Sequence, residues 1–144
     1  MGHPGRRIIA GITALLDAIL AVFLSIATLA VSEKVWIAPV FLFFFGTAAL
    51  AAAVHTEPRI ARRWPVLAVR PGSLKAVAVF VIASLHWMVC LGAIAGLFMA
   101  DTLWVSVPMF FGTLSALLAI SILFAASGYF LYSLERVTDG KGSG

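Results

Sequence analysis

The chain has 144 residues, of which 62% are hydrophobic and 11% charged, with a formal net charge of +4. Soluble domains carry about 25% charged residues, so this composition excludes an ordinary soluble domain. The positive charge does not indicate nucleic-acid binding, because the basic residues flank apolar stretches and accompany no soluble recognition module. We therefore expect the lipid bilayer, and not nucleic acid, to be the main partner.

Four long apolar stretches follow one another along the chain, and each is long enough to cross a membrane as a helix. A span needs about 20 residues, because about 30 Å of hydrocarbon divides into a rise of about 1.5 Å per residue. The first stretch is also too long for the apolar region of a signal peptide, which has about 7 to 15 residues. The sequence predicts one all-α membrane domain, residues 1–144, with four transmembrane helices over about residues 8–31, 35–54, 74–100 and 103–134.

The two outer turns are short, so consecutive spans should pair as antiparallel helical hairpins in a four-helix bundle. Residues 32–34 join the first pair, and Asp101 with Thr102 joins the second. The string FFGT occurs in the second span at 44–47 and again in the fourth at 110–113. A parallel tandem repeat of two hairpins explains this recurrence, but so does chance similarity in a chain rich in Phe and Gly.

The basic residues mark one side of the predicted bundle. Nine of the ten Lys and Arg precede the first span, lie where the second span connects to the third, or follow the fourth; only Lys34 lies in an outer turn. Basic residues are retained on the cytoplasmic side of a membrane. We expect a protein of the prokaryotic cytoplasmic membrane with both termini in the cytoplasm.

The cytoplasmic connection, residues 55–73, is the one segment with room for structure outside the bilayer. A short helix there would turn Arg59, Arg62 and Arg63 toward lipid headgroups, which attract basic side chains. The alternative is a solvated loop whose arginines only set the topology. Gly72 and Ser73 predict a turn and a helix cap before the third span.

Two ionisable residues fall well inside predicted spans, Asp17 in the first and His86 in the third. Asp17 lies 10 residues after Arg7 and His86 lies 11 after Lys75, and both spans run outward, so the two groups share a depth. An ionised carboxylate at the bilayer centre costs at least about 2.5 to 3.5 kcal/mol, so Asp17 should face the bundle interior. Thr13, Leu24 and Thr28 lie on the same helix face and give it a sparse polar stripe. We predict an intramembrane polar pair that either handles protons or ties the helices together.

Four glycines are predicted to pack helices closely. Gly92 and Gly96 form a small-xxx-small step on the third span, and Gly46 and Gly112 lie in the second and fourth spans. Small residues let helix backbones approach each other in lipid. Contact within the chain is the default use of these residues, and a docking face for another membrane protein is the alternative.

No motif in the sequence indicates catalysis, a cofactor or a metal. Cys90 lies one helical turn after His86, but two ligands are too few for a closed zinc site. A bis-histidine haem would need a second histidine at that depth. We predict no catalytic, cofactor-binding or metal-binding residues, and a buried structural cysteine.

The predicted function is that of a small noncatalytic integral membrane protein, an accessory or assembly subunit of a membrane protein complex. The chain has almost no mass outside the predicted spans and no catalytic set. Its expected partners are other membrane protein subunits or further copies of itself. The alternative is a proton-coupled small transporter or channel that uses Asp17 and His86, and an intramembrane enzyme or cofactor binder comes third.

The topology can be tested by labelling introduced cysteines in intact cells with a reagent that does not cross membranes. We expect cysteines placed at Ser143 and Arg62 to be protected and one placed at Lys34 to react, because the basic residues stay in the cytoplasm. Efficient labelling at Ser143 would contradict this topology.

Overall fold

The computed structural model describes residues 3–99 and 107–138, and within these ranges every regular element is helical. Four long helices and two short ones occur here, in the order α1 (Pro4–Val31), α2 (Ile37–Thr56), α3 (Arg59–Arg63), α4 (Leu74–Phe98), α5 (Val107–Tyr132) and α6 (Leu134–Thr138). A single 3-10 turn, Pro65–Leu67, lies between α3 and α4. The prediction of an all-α chain with four helices long and apolar enough to span a membrane is confirmed.

Local sequence explains where α1 and α4 begin. α1 starts at Pro4, before the predicted start of the first span, because proline fits the first turn of a helix, where its missing N–H is not needed. Gly72 has a φ of 72°, a left-handed conformation that glycine adopts without steric cost. Ser73 then accepts a hydrogen bond from the N–H of Ala76 at 3.2 Å. The predicted turn and cap before α4 are therefore confirmed.

A turn at Ser133 divides the last helical stretch into α5 and α6. The Ser133 N–H donates to the Tyr129 carbonyl and the Val137 N–H to the Ser133 carbonyl, so the chain keeps its direction there. The predicted start of the fourth span, the outer turn at Asp101 and Thr102, and the residues after Thr138 lie outside the described residues.

The four long helices pack in two pairs. α1 lies along α2, and α4 lies along α5; the pairs meet mainly through α2 and α5, with a lighter contact between α1 and α5. Alanines occupy several of the fully buried positions between the helices. Ala10 and Ala52 are fully buried beside Phe130, and Ala48 and Ala83 are fully buried in the largest core cluster. These small side chains let the helices approach each other closely.

Of the four glycines predicted to pack helices, one has a close neighbour within the chain. A Cβ added at Gly96 would lie 3.4 Å from the Leu117 side chain of α5, an ordinary contact. One added at Gly46, Gly92 or Gly112 would meet no described atom within 4 Å. These three glycines therefore do not pack helices together within the described part of the chain, and their use against another chain stays a prediction.

The closest glycine contact occurs at Gly128, which the sequence did not single out. A Cβ added there would overlap the indole ring of Trp87, so α4 and α5 approach each other at this point. Gly128 is an isolated glycine rather than part of a small-xxx-small step with another glycine. The absence of a side chain at Gly128 is required because the Trp87 side chain of α4 lies directly against it.

The two FFGT strings have different surroundings. Phe45 in the first string is 5% exposed, whereas the corresponding Phe111 in the second is 61% exposed. Thr47 and Thr113 do share one feature: each hydroxyl donates to the carbonyl four residues earlier at 2.8 Å. The tandem repeat stays a prediction.

The connection between α2 and α4 is folded against the helices. Ala61 of α3 is buried in the largest core cluster, while Arg59, Arg62 and Arg63 are exposed. The hydroxyl of Thr138 in α6 accepts a hydrogen bond from the Val69 N–H at 3.0 Å. The connection is thus held at both α3 and α6.

Replacing Gly128 by Ala should destabilise the protein by about 1–3 kcal/mol, the usual cost of overpacking, because Trp87 must move to admit the new methyl group. Gly92→Ala is the matched control, since it makes the same change in α4 with open space around it. We expect the control to unfold at the same or a higher temperature than the parent in detergent, because alanine favours helix. Equal melting temperatures for the two variants would contradict the proposed close contact.

Candidate functional site

Three polar side chains lie fully buried in the interior of the bundle: Asp17 of α1, His86 of α4 and Ser127 of α5 are each 0% exposed. We call them the buried polar layer. Ala21, one turn after Asp17, packs in the same cluster as Cys90, one turn after His86, and Phe124, about one turn before Ser127. The three polar residues therefore occupy one level of the bundle.

Asp17 is bonded to Ser127 across the α1–α5 contact. The Ser127 Oγ lies 2.8 Å from Asp17 Oδ2 and also 2.8 Å from the Leu123 carbonyl of its own helix. A hydroxyl has one hydrogen, so Ser127 donates to one of these acceptors at a time. When it donates to Leu123, its oxygen is free to accept a hydrogen from a protonated Asp17 carboxyl. The geometry accommodates both arrangements of the proton.

The burial of Asp17 agrees with the sequence prediction; on the same face Thr13 is buried as well, whereas Leu24 and Thr28 are half-buried. The second carboxyl oxygen, Oδ1, has no hydrogen-bond partner among the described residues. A buried polar atom without a partner costs about 1–3 kcal/mol. The burial of Asp17 therefore lowers the free energy of unfolding unless its carboxyl group is fully hydrogen-bonded.

His86 is enclosed by aromatic rings. Its ring stacks on Phe44 of α2, with centroids 3.9 Å apart and planes 11° from parallel, and Phe124 lies 5.5 Å away. Nδ1 is 2.9 Å from the Ile82 carbonyl. Because a carbonyl oxygen only accepts, Nδ1 carries a hydrogen and donates it. The other nitrogen, Nε2, has no hydrogen-bond partner among the described residues.

The structure does not join Asp17 to His86 by a hydrogen bond. Asp17 Oδ2 pairs with Ser127, whereas Asp17 Oδ1 and His86 Nε2 are both without a described partner. The reason lies in the helix arrangement, because α1 packs against α2 and α5. Equal depth along two helices does not make them face each other. A role for the two residues as a functional pair stays a prediction.

Ser127 is the member of the layer that sequence analysis missed. α5 also contains Ser115 and Ser121, and nothing in the sequence distinguishes one serine from another. Ser121 shows the contrast, since its hydroxyl donates only to the Leu117 carbonyl of its own helix. The contact between α1 and α5 is what selects Ser127.

Cys90 is bound to the backbone of the neighbouring helix. Its thiol donates to the Ser121 carbonyl of α5 at 3.2 Å, and the residue is buried. It lies one turn from His86, whose Nδ1 is likewise engaged by a backbone carbonyl. The described residues contain no group of three or more side chains of the kinds that bind metals.

A second buried histidine, His55, lies at the end of α2, where the sequence predicted the start of the connection. Its Nδ1 donates to the Ala51 carbonyl at 3.1 Å, and its ring meets Phe130 of α5 edge to face at 5.0 Å. The helix continues to Thr56, so His55 faces the bundle instead of the connection.

An open apolar groove runs between α1 and α5, and we call it the α1–α5 groove. It consists of two cavities of about 410 and 470 Å³ that share Ile9 and Ala126 as lining residues. Thr13, which is buried, and the small Ala119 also line it. The groove exists because α1 touches α5 only lightly.

Comparisons with protein-family models, with curated proteins and with solved structures found no match to this chain.

Replacing Ser127 by Ala should destabilise the protein by about 1–3 kcal/mol, because the carboxyl group of Asp17 loses its described partner in a buried site. Ser121→Ala is the matched control, since it removes a hydroxyl from the same helix that bonds only its own backbone. The measurement is thermal or denaturant unfolding in detergent. Equal losses in the two variants would contradict the importance of the Asp17–Ser127 bond.

The double variant Asp17→Leu with Ser127→Ala extends this test. It should lose less stability than the two single changes added together, because no polar group is left without its partner. Additive losses would show that the two residues act independently.

Proposed function

We propose that this chain is a small noncatalytic integral membrane protein that serves as an accessory or assembly subunit of a membrane protein complex. The outer surface supports insertion into a bilayer. Large apolar side chains are exposed on each long helix, among them Phe23, Phe43, Leu91 and Ile122. In water such a continuous apolar surface is unfavourable, whereas in lipid it is the expected exterior of a helical bundle.

In this proposal the two helix pairs cross the prokaryotic cytoplasmic membrane as hairpins with both termini inside. The basic residues gather near one end of the bundle, which supports the orientation. Arg6 of α1 lies over the Tyr129 ring near the end of α5, at 5.7 Å, and Arg136 lies over the Tyr132 ring at 6.0 Å. The exposed arginines of α3 follow the end of α2. Basic residues concentrated on one side fit the cytoplasmic face.

The observation that carries the subunit proposal is the α1–α5 groove. α1 buries a single narrow stripe of its surface, Ala10, Thr13, Asp17 and Ala21, and most of its other side chains face outward. The groove lies beside this stripe and extends from Gly5 to Leu16 along α1. At a rise of about 1.5 Å per residue this is about 17 Å, or three helical turns.

We assign the groove to a transmembrane helix of another membrane protein. The groove is long enough to hold about three turns of a straight partner helix that lies along α1 and α5. Ala119 and Ala126 line the groove on the α5 side, and such small residues allow a helix backbone to come close. Helices associate in lipid largely through this kind of close packing. A seated partner would also cover the light contact between α1 and α5.

A proton-coupled transporter or channel is the second candidate function. Ser127 has two acceptors at 2.8 Å for its one hydrogen, and one oxygen of Asp17 and one nitrogen of His86 have no described partner. Groups of this kind can pass protons when water reaches them. All three side chains are fully buried here, so transport would require the bundle to open.

The subunit proposal predicts that a partner protein copurifies with the chain in mild detergent at a fixed stoichiometry, and that filling the groove releases it. Ala119→Phe should weaken the complex by about tenfold or more, since overpacking costs about 1–3 kcal/mol. Ala125→Phe is the matched control, because Ala125 is an exposed alanine of α5 outside the residues that line the groove. The Ala125→Phe variant should retain the partner.

Two outcomes would contradict the proposal. If the chain purifies alone and moves protons in reconstituted vesicles in a manner that depends on Asp17, the transport function is correct. If Ala119→Phe instead dissociates a homo-oligomer, the groove is occupied by a second copy of the chain and not by a different subunit.

A further inference from the structure

A second groove lies on another side of the bundle, between α2 and α4. Its volume is about 310 Å³, and its walls include Phe43 and Leu50 of α2 and Ala78 and Val79 of α4. Leu131 at the end of α5 lines it as well. We call it the α2–α4 groove. Its lining is almost entirely hydrocarbon.

The connection between α2 and α4 closes one end of this groove. Val66, Leu67 and Val69 all contribute to the lining, and Val69 is buried. A straight helix lying along α2 and α4 would meet these residues and stop. A flexible chain that ends at the same place has no such conflict. The shape of the groove therefore favours a narrow, flexible, apolar occupant over a partner helix.

Lys75 stands where the groove meets the connection. It is a lining residue, and its Nζ donates a hydrogen bond to the Val66 carbonyl at 2.9 Å. An ammonium group has three hydrogens, so this bond fixes the position of the charge and leaves two donors for a ligand. The adjoining connection also carries Arg70, which is exposed. The apolar groove therefore ends at the positive charge of Lys75, whose position is fixed by its hydrogen bond to Val66.

We propose that the α2–α4 groove binds an anionic phospholipid, with one acyl chain between α2 and α4 and the phosphate on the ammonium group of Lys75. A lipid has the two parts that this site requires, a flexible hydrocarbon chain and a negative group at one end. Negative charge is attracted to this end by Lys75 and by Arg70, which follows Val69 in the connection. The inference rests on the membrane location proposed above, but not on the existence of a partner subunit.

The test compares phosphatidylglycerol with phosphatidylcholine, with identical acyl chains, bound to the purified full chain in detergent and counted by native mass spectrometry. The wild type should retain phosphatidylglycerol about fivefold better, the effect of one basic side chain at a lipid surface. Lys75→Gln should remove this preference. Arg62→Gln is the matched control, because Arg62 is exposed and lines a different cavity, and it should keep the preference.

A second pair of variants tests the acyl chain. Ala78→Phe should lower retention of both lipids at least fivefold by filling the groove, whereas Ala95→Phe, at an exposed alanine of α4 outside the groove, should leave retention unchanged. Circular dichroism and size exclusion confirm that each variant is folded. Both alanines and Lys75 are exposed, so these changes do not disturb the core.

Three results would overturn the lipid site: equal retention of the two lipids by the wild type, equal loss of preference in Lys75→Gln and Arg62→Gln, or unchanged retention in Ala78→Phe. The second would mean that charge attracts lipid without a defined site. Copurification of a partner with Lys75→Gln separates the two proposals, because the α1–α5 groove is intact in that variant.

Discussion

The bond between Asp17 and Ser127 is the polar interaction on which the arrangement of the helices depends. It joins α1 to α5, two helices that otherwise touch only lightly, and both side chains are fully buried. A buried carboxyl group is costly unless it is bonded, so α1 has a strong preference for the one rotation that directs Asp17 toward Ser127. The other buried residues of α1, Ala10, Thr13 and Ala21, are all small, so Asp17 is the buried residue of this helix with the strictest requirement for a partner.

The helices were predictable from the sequence, but the direction in which each helix faces was not. Length and composition are sufficient to identify four long apolar helices. The side of a helix that faces the core is normally identified from apolar residues that recur on that side. In this bundle the exterior is as apolar as the interior, so that signal is absent from α2, α4 and α5. The glycines show the consequence, since Gly92 faces outward while Gly128 packs under Trp87.

For the same reason, the buried polar layer could be predicted from the sequence only in part. Burial of Asp17 follows from its charge, and the shared depth of Asp17 and His86 follows from counting residues along two helices. Which groups actually bond depends on which helices are neighbours. His86 is enclosed by Phe44 and Phe124, and Ser127 takes the place that the sequence assigned to His86. A position along a helix can be read from one sequence, whereas a position around it requires the fold.

The hydrogen bond from Val69 to Thr138 has a consequence for how the chain is completed during synthesis. The two residues are separated by 69 positions, and Val69 belongs to the connection that precedes α4. Chains are made from the N-terminus, so the connection emerges long before its partner in α6 exists. The Val69 N–H therefore lacks this partner until 69 further residues have been translated. The wall of the α2–α4 groove to which Val69 contributes is therefore completed only after α6 has been synthesised.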